Sequence, residues 1–147
     1  GVDFKKIKKA ISDYISVNNR SQILIKNKNK IILDAYNANP TSMLLAIKSF
    51  EKSGLKNKTI ILGDMYELGE NENKFHQEII DYCEGLCVNK IFLVGKIFSL
   101  TKYSEKFISV KNYIELSELE EFTEIKNSNY LIKGSRAMQL EKIVEYI

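Results

Sequence analysis

Apolar residues along the chain follow two alternating rhythms, one with the period of a helix face and one with the compactness of a buried strand. Phe4, Ile7, Ile11 and Tyr14 with Ile15 recur at helical spacing and predict an opening helix. Ser21 to Lys26 and Lys30 to Asp34 read as two strands across a turn at Asn27–Asn29, a hairpin. Met43, Leu44, Ile47 and Phe50 place a helix that opens at Pro40 and stops near Gly54. Thr59 to Leu62 is then a buried strand, and Phe75, Ile79, Cys83 and Leu86 mark the next helix. Lys90 to Val94 is a strand, followed by a short helical stretch to about Tyr103 and a strand at Phe107–Val110. Ser117-Glu118-Leu119-Glu120 has the spacing of a capping box and predicts a helix start there. Tyr130 to Lys133 is the last strand, and Met138, Leu140, Ile143, Val144 and Ile147 predict a closing helix.

Strands that alternate with helices predict a mostly parallel sheet covered on both faces. The expected class is α/β, Rossmann-like, with an antiparallel hairpin at its start. The pattern changes character around Val17 to Arg20. Residues 1–18 are therefore expected to be a helix left over from a preceding domain, and 19–147 to be the domain itself. The chain begins at Gly1 and its first methionine is Met43, so it is expected to be part of a longer protein.

Composition narrows the function classes. Of the 147 residues 44% are apolar, enough for a core, and 22 basic residues mix with 19 acidic ones. No basic stripe points to nucleic acid, although a local anion site stays open. Cys83 and Cys87 sit four apart on a predicted helix and read as reduced thiols. A metal would need further soft ligands with their own spacing, and the single histidine is not placed to supply them. Apolar runs are strand-sized and no signal segment is present, which points to the cytoplasm.

In an open parallel sheet ligands sit beyond the carboxyl ends of the strands. Four predicted strand ends carry unusual residues: Asp34 to Pro40, Gly63 to Gly69, Gly95-Lys96, and Lys133 to Arg136. Asn39 before Pro40 has the form of an N-cap, whereas Asn37 lies within the loop and is a ligand candidate. Ser135 reads equally as cap or ligand contact, and Asp64 equally as turn acid or functional acid. Gly63, Gly95 and Gly134 fit tight turns. His76 reads as structural or as facing the rim. Arg136 at a helix start opposes the helix dipole and calls for an anion nearby. No G-x-G-x-x-G is present, and Gly95-Lys96 lacks the upstream glycine of a P-loop. The rim has the character of half a nucleotide site.

Three segments, DAYNANPTSM at 34–43, LGDMYELGE at 62–70 with His76 downstream, and KGSRAM at 133–138 with Glu141 after it, resemble the Mur ligase family. Asn19-Arg20-Ser21-Gln22 resembles the family's short arginine motif, with asparagine where glycine is common. The resemblance implies the last domain of a three-domain, ATP-dependent peptide ligase in cell-wall precursor synthesis, whose central domain carries the P-loop and holds Mg2+. It implies a UDP-N-acetylmuramoyl-tripeptide activated as an acyl phosphate and D-alanyl-D-alanine as the attacking amine. By that resemblance Arg20 reaches the nucleotide phosphates and acts catalytically, Asp34 holds the ribose hydroxyls, and Tyr36, Asn37 and Asn39 line the ATP and acceptor side. Asn37, Ser135 and Arg136 match the region for the incoming dipeptide, with Asp64 and His76 as partners of its amine. The isolated chain is expected to be inactive. A sister Mur-type ligase for another amino acid, a free-standing binding module and a receiver-like phosphoacceptor remain alternatives. The last would use Asp34, Asp64 and Lys133, but Ala35 and Tyr36 stand where it needs a second acid.

Overall fold

The structure is a computed structural model that describes residues 21–147. The expected opening helix, the change of character at 17–20 and Arg20 lie outside the described residues. Two strands, β1 (Gln22–Lys26) and β2 (Asn29–Asp34), form the expected hairpin. Its turn residues Asn27 and Lys28 have φ of 51° and 67°, the left-handed pair that matches the twist of antiparallel strands. Asn39 then opens α1 (Pro40–Lys52): its side chain accepts from the Ser42 N–H at 2.8 Å, while Ser42 Oγ accepts from the Asn39 N–H.

The chain continues through β3 (Lys58–Gly63), a 3-10 turn at Gly69–Asn71, α2 (Glu72–Glu84), β4 (Lys90–Val94) and the single-turn α3 (Lys96–Ser99). It then forms β5 (Phe107–Val110), α4 (Tyr113–Glu118), α5 (Glu120–Thr123) and β6 (Asn129–Lys133). Two 3-10 segments, Arg136–Met138 and Leu140–Tyr146, close it. The six strands lie in the order β1-β2-β6-β3-β4-β5, and every pairing except β1 with β2 is parallel. The central strands are apolar without alternation because both sheet faces are covered. On the first face Met43, Ile47 and Phe50 of α1, Ile79 and Cys83 of α2 and Phe98 of α3 pack against Ile60, Leu62, Ile91 and Leu93. On the second, Leu116, Phe122, Leu140 and Ile143 cover Ile61, Phe92, Tyr130 and Ile132.

Two expectations are corrected. Ser117 does not open a helix: it is buried in the last turn of α4, and its hydroxyl donates to the Ile114 carbonyl at 2.6 Å. The cap is Asn112, whose side chain accepts from the Glu115 N–H at 2.9 Å. The closing segment is 3-10, broken by Gln139 in the left-handed conformation at φ 53°. That break lets Met138 and Leu140 both drop onto the paired strand exits at Gly63 and Gly134. A Cβ on Gly134 would stand 2.8 Å from the Gly63 Cα and 2.9 Å from Leu140 Cδ1. Gly134→Ala should therefore destabilise by ~1–3 kcal/mol, the cost of overpacking. Urea unfolding of the two proteins measures this, and coincident midpoints would show that the contact relaxes freely.

Candidate functional site

Because β2, β6, β3, β4 and β5 run parallel, their carboxyl ends share one edge. The residues there appear in the order Asp34, Lys133, Gly63, Val94 and Val110, each paired in register with its neighbour or one position from it. The exits carrying Asp34, Asp64 and Lys133 thus converge, as the sequence reading requires.

Lys133 ends the central strand β6 with its side chain 1% exposed, and its ammonium lies 2.7 Å from Asp34 Oδ2. The same ammonium donates to the Asn37 carbonyl at 3.2 Å, so one cation fixes both the acid and the loop that follows it. The sequence named Lys133 only for the receiver-like alternative and gave it no task beside the ligase residues. The signal was available: a lysine closing an otherwise apolar strand, in a sheet covered on both faces, needs a buried acid. Asp34 stays 15% exposed, and the Lys133 ammonium meets its Oδ2. The side chains of Asn37 and Asn39 face solvent, Asn39 being committed to its cap. Exposed Arg136 sits with its guanidinium carbon 5.4 Å from the centre of the Tyr36 ring, so a cation–π contact joins the exits of β2 and β6.

Asp64 and His76 are placed differently from the expectation. Asp64 is 1% exposed and accepts backbone N–H bonds from Ile97 and Phe98, each at 2.9 Å. His76 is fully buried, its ring edge packed on Phe98 at 4.6 Å between centroids. Its Nε2 accepts from the Met65 N–H at 2.9 Å, so Nδ1 carries the proton and donates to the Glu72 carbonyl at 2.6 Å. Both side chains spend their polar atoms on backbone groups of the segments that follow β3 and β4. Backbone bonds extend the junction. Asp64 N–H donates to the Val94 carbonyl at 3.1 Å, and the Asp64 carbonyl accepts from the Ser135 N–H at 3.0 Å. Ser135, also buried, turns its hydroxyl oxygen to the Tyr66 N–H at 3.0 Å instead of capping the 3-10 turn after it. Gly95, at φ 123°, leaves room for this arrangement, since a Cβ there would collide with the Asp64 carboxylate.

Burial raises the pKa of Asp64, against the pull of the two amides and of His76, which stands 4.0 Å away. Burial lowers that of His76, against its bond to Glu72. Cys83 is likewise pushed up to about 12 by burial, which leaves it an unreactive thiol. Among the described residues no group of three acids, histidines or cysteines is gathered to hold a metal, and no helix is long and apolar enough to cross a membrane.

The sequence model of the Mur ligase family, in its glutamate ligase domain, matches residues 19–136. The chain belongs to the Mur ligase family. Similar proteins include a UDP-N-acetylmuramoyl-tripeptide–D-alanyl-D-alanine ligase of Rickettsia prowazekii, 36% identical over 99% of this chain and 33% of that protein. A crystal structure of MurF from Acinetobacter baumannii superposes with a TM-score of 0.75 at 26% identity, covering 99% of this chain and 33% of that one. The MurF ligase of Thermotoga maritima, solved in complex with ADP, shares the fold with a TM-score of 0.73 at 21% identity, over 89% of this chain and 30% of its own. This Mur ligase domain thus spans about a third of the length of the curated relatives it matches, 33% and 32% of two of them.

The buried histidine gives the domain a pH dependence. A folded-state pKa below the usual 6.5 means that the unfolded chain takes up the proton first as the pH falls. Stability contributed by neutral His76 is full above 6.5 and is lost on acidification below it. Asp64, with a folded-state pKa raised above 3.8 by burial, acts in the opposite sense. Since His76 is the sole histidine, chemical denaturation between pH ~8 and ~5 should show this loss, and His76→Gln should flatten it. Equal slopes in both proteins would assign the loss to other groups.

Proposed function

We propose that this chain is the C-terminal domain of a ligase that joins D-alanyl-D-alanine to UDP-N-acetylmuramoyl-tripeptide at the expense of ATP. The observation that carries the reading is the meeting of the segments 34–40 and 133–138 at one rim, tied by the Lys133–Asp34 ion pair and the Arg136–Tyr36 contact. They form one wall of a cleft whose opposite wall, with the P-loop, belongs to a preceding domain; residues 1–18 are read as a helix of that domain. Relatives named for this reaction share sequence across nearly the whole chain, and a structural neighbour carries ADP.

Each rim residue then has a task set by its chemistry. Asp34, with one oxygen held by Lys133, offers the other to ribose hydroxyls. Tyr36, Asn37 and Asn39 border the nucleotide and acceptor side, and Arg20 neutralises charge on the phosphates. The Arg136 guanidinium suits the dipeptide carboxylate, and the Ser135 hydroxyl, which accepts from Tyr66, still has its hydrogen to donate. Asn37 reaches the same space. Asp64 and His76 hold these groups in register.

The chemistry has two steps. The tripeptide carboxylate takes the γ-phosphoryl group of ATP, releasing ADP; the dipeptide amine then attacks the acyl carbon, and phosphate leaves as the peptide bond forms. The domain contributes alignment, an effect worth about 7–11 kcal/mol when reactants are well oriented. Mg2+ does not fit the acids described here, because Asp34 is paired with Lys133 and both Asp64 oxygens hold amides. The metal belongs to the preceding domain. A UDP-linked substrate and an ATP-driven step place the reaction in the cytoplasm. A receiver-like phosphoacceptor is disfavoured, since the Asp64 carboxylate is buried and engaged.

In the full-length enzyme Arg136→Ala should raise the KM for D-alanyl-D-alanine roughly 10- to 100-fold, the value of a lost charged hydrogen bond. The KM for ATP should stay unchanged. A rise for ATP alone would move Arg136 to the nucleotide, and better turnover with a different amino acid would assign the chain to a sister ligase. The 147-residue chain by itself should turn over no ATP with all substrates supplied.

A further inference from the structure

The sheet has a second place where its connections part. After β4 the chain turns to the first face, where Phe98 of α3 packs with α1 and α2; after β5 it turns to the second, where Leu116 of α4 is buried. Such a divergence opens a crevice beyond the strand ends, the position at which α/β sheets take ligands. Here it is a cleft of ≈ 630 Å³, within the range of about 300–1,000 Å³ typical of small-molecule sites. It lies two strands beyond β6, roughly 10 Å along the sheet at ~4.8 Å per strand. The function proposed above uses none of its residues.

Its surface is mainly apolar, and the charged side chains at its edge are two lysines and one glutamate. Lys96 follows β4 and Lys111 follows β5, both exposed, and neither ammonium meets a hydrogen-bond acceptor or an acid among the described residues. The one acid in the lining, Glu115, turns its carboxylate to the Lys111 N–H at 2.5 Å. Ser99, Ser109 and Tyr103 add hydroxyls, and the Tyr103 ring, 6.2 Å from that of Phe107, gives the cleft an apolar side. The floor is braced: Asp64 holds the backbone of α3, and Gly95 N–H donates to the Val110 carbonyl at 2.9 Å. Two ammonium groups flanking a preformed crevice select for negative charge, and the hydroxyls and aromatic side suit a compact organic body.

We propose that this β4–β5 crevice is a second binding site, taking a small organic anion whose phosphate or carboxylate group lies between Lys96 and Lys111. The site is separate from the rim that joins β2, β6 and β3. Backbone amide NMR of the 147-residue chain, titrated separately with glycerol 3-phosphate and with glutarate, tests it and tells the two anionic groups apart. At least one probe should shift the amides of Gly95, Lys96, Ser109 and Lys111 in a saturable manner. The double variant Lys96→Glu, Lys111→Glu should weaken that binding at least ~10-fold, single Lys96→Glu should lose part of it, and Arg136→Ala should leave it intact. Both lysines are exposed, and the dispersion of the same spectra reports whether each variant is folded. If neither probe moves these amides, if binding survives charge reversal, or if it is lost with Arg136→Ala, the site does not exist as described.

Discussion

A lysine placed inside a sheet is tolerable only beside an acid, and Lys133 is placed inside this one. An ammonium taken out of water costs several kcal/mol, and removing one member of such a pair costs roughly 3–5 kcal/mol. The ion pair with Asp34 therefore specifies as well as stabilises. It requires β6 to lie against β2 in the register that opposes positions 34 and 133. That register brings together chain ends separated by 99 positions. Slipping by one residue would turn Lys133 into the core and Asp34 away from it. The strand order and the composition of the rim are thus one constraint.

Around that fixed point the rim is held by backbone bonds more than by side-chain pairs. Asp64 collects the exits of β3, β4 and β6 through its carboxylate, its own N–H and its carbonyl. His76 adds Met65 to the set. A carboxylate that accepts two amides in a dry setting is well satisfied without being available. The two residues expected to meet the incoming amine are thus the ones most deeply committed to holding the loops. The polar groups left facing solvent at this rim are the edge of the Asp34 carboxylate, Asn37 and Arg136.

Much of this was legible in the sequence, for identifiable reasons. Runs such as Ile60-Ile61-Leu62 and Ile91-Phe92-Leu93 announce strands covered on both faces, and Asn39-Pro40 announces a cap. The helix start misplaced at Ser117 had a competitor with the same chemistry. Asn112 stands three residues before Glu115, and Ser117 lost because its side is buried against the core. The closing segment was misread because a short apolar pattern fits a 3-10 turn as well as an α-helix. Asp64 and His76 lie by the expected strand ends, but their side chains are buried and bonded to backbone groups. Position on a strand end is encoded locally, whereas three of the four groups that fill the hydrogen bonds of these two side chains come from 11 to 34 positions away. Lys133 was readable in principle, once a charge closing a buried strand is taken as a demand for a partner.

The crowding of Asp64 against Gly95 constrains both positions. Position 95 needs a residue free to adopt φ 123° and lacking a Cβ, because the carboxylate occupies the space that a Cβ would fill. That carboxylate in turn is held by the amides that follow Gly95. A side chain at position 95 would therefore evict the carboxylate and, with it, the two amide bonds that seat the turn of helix behind β4.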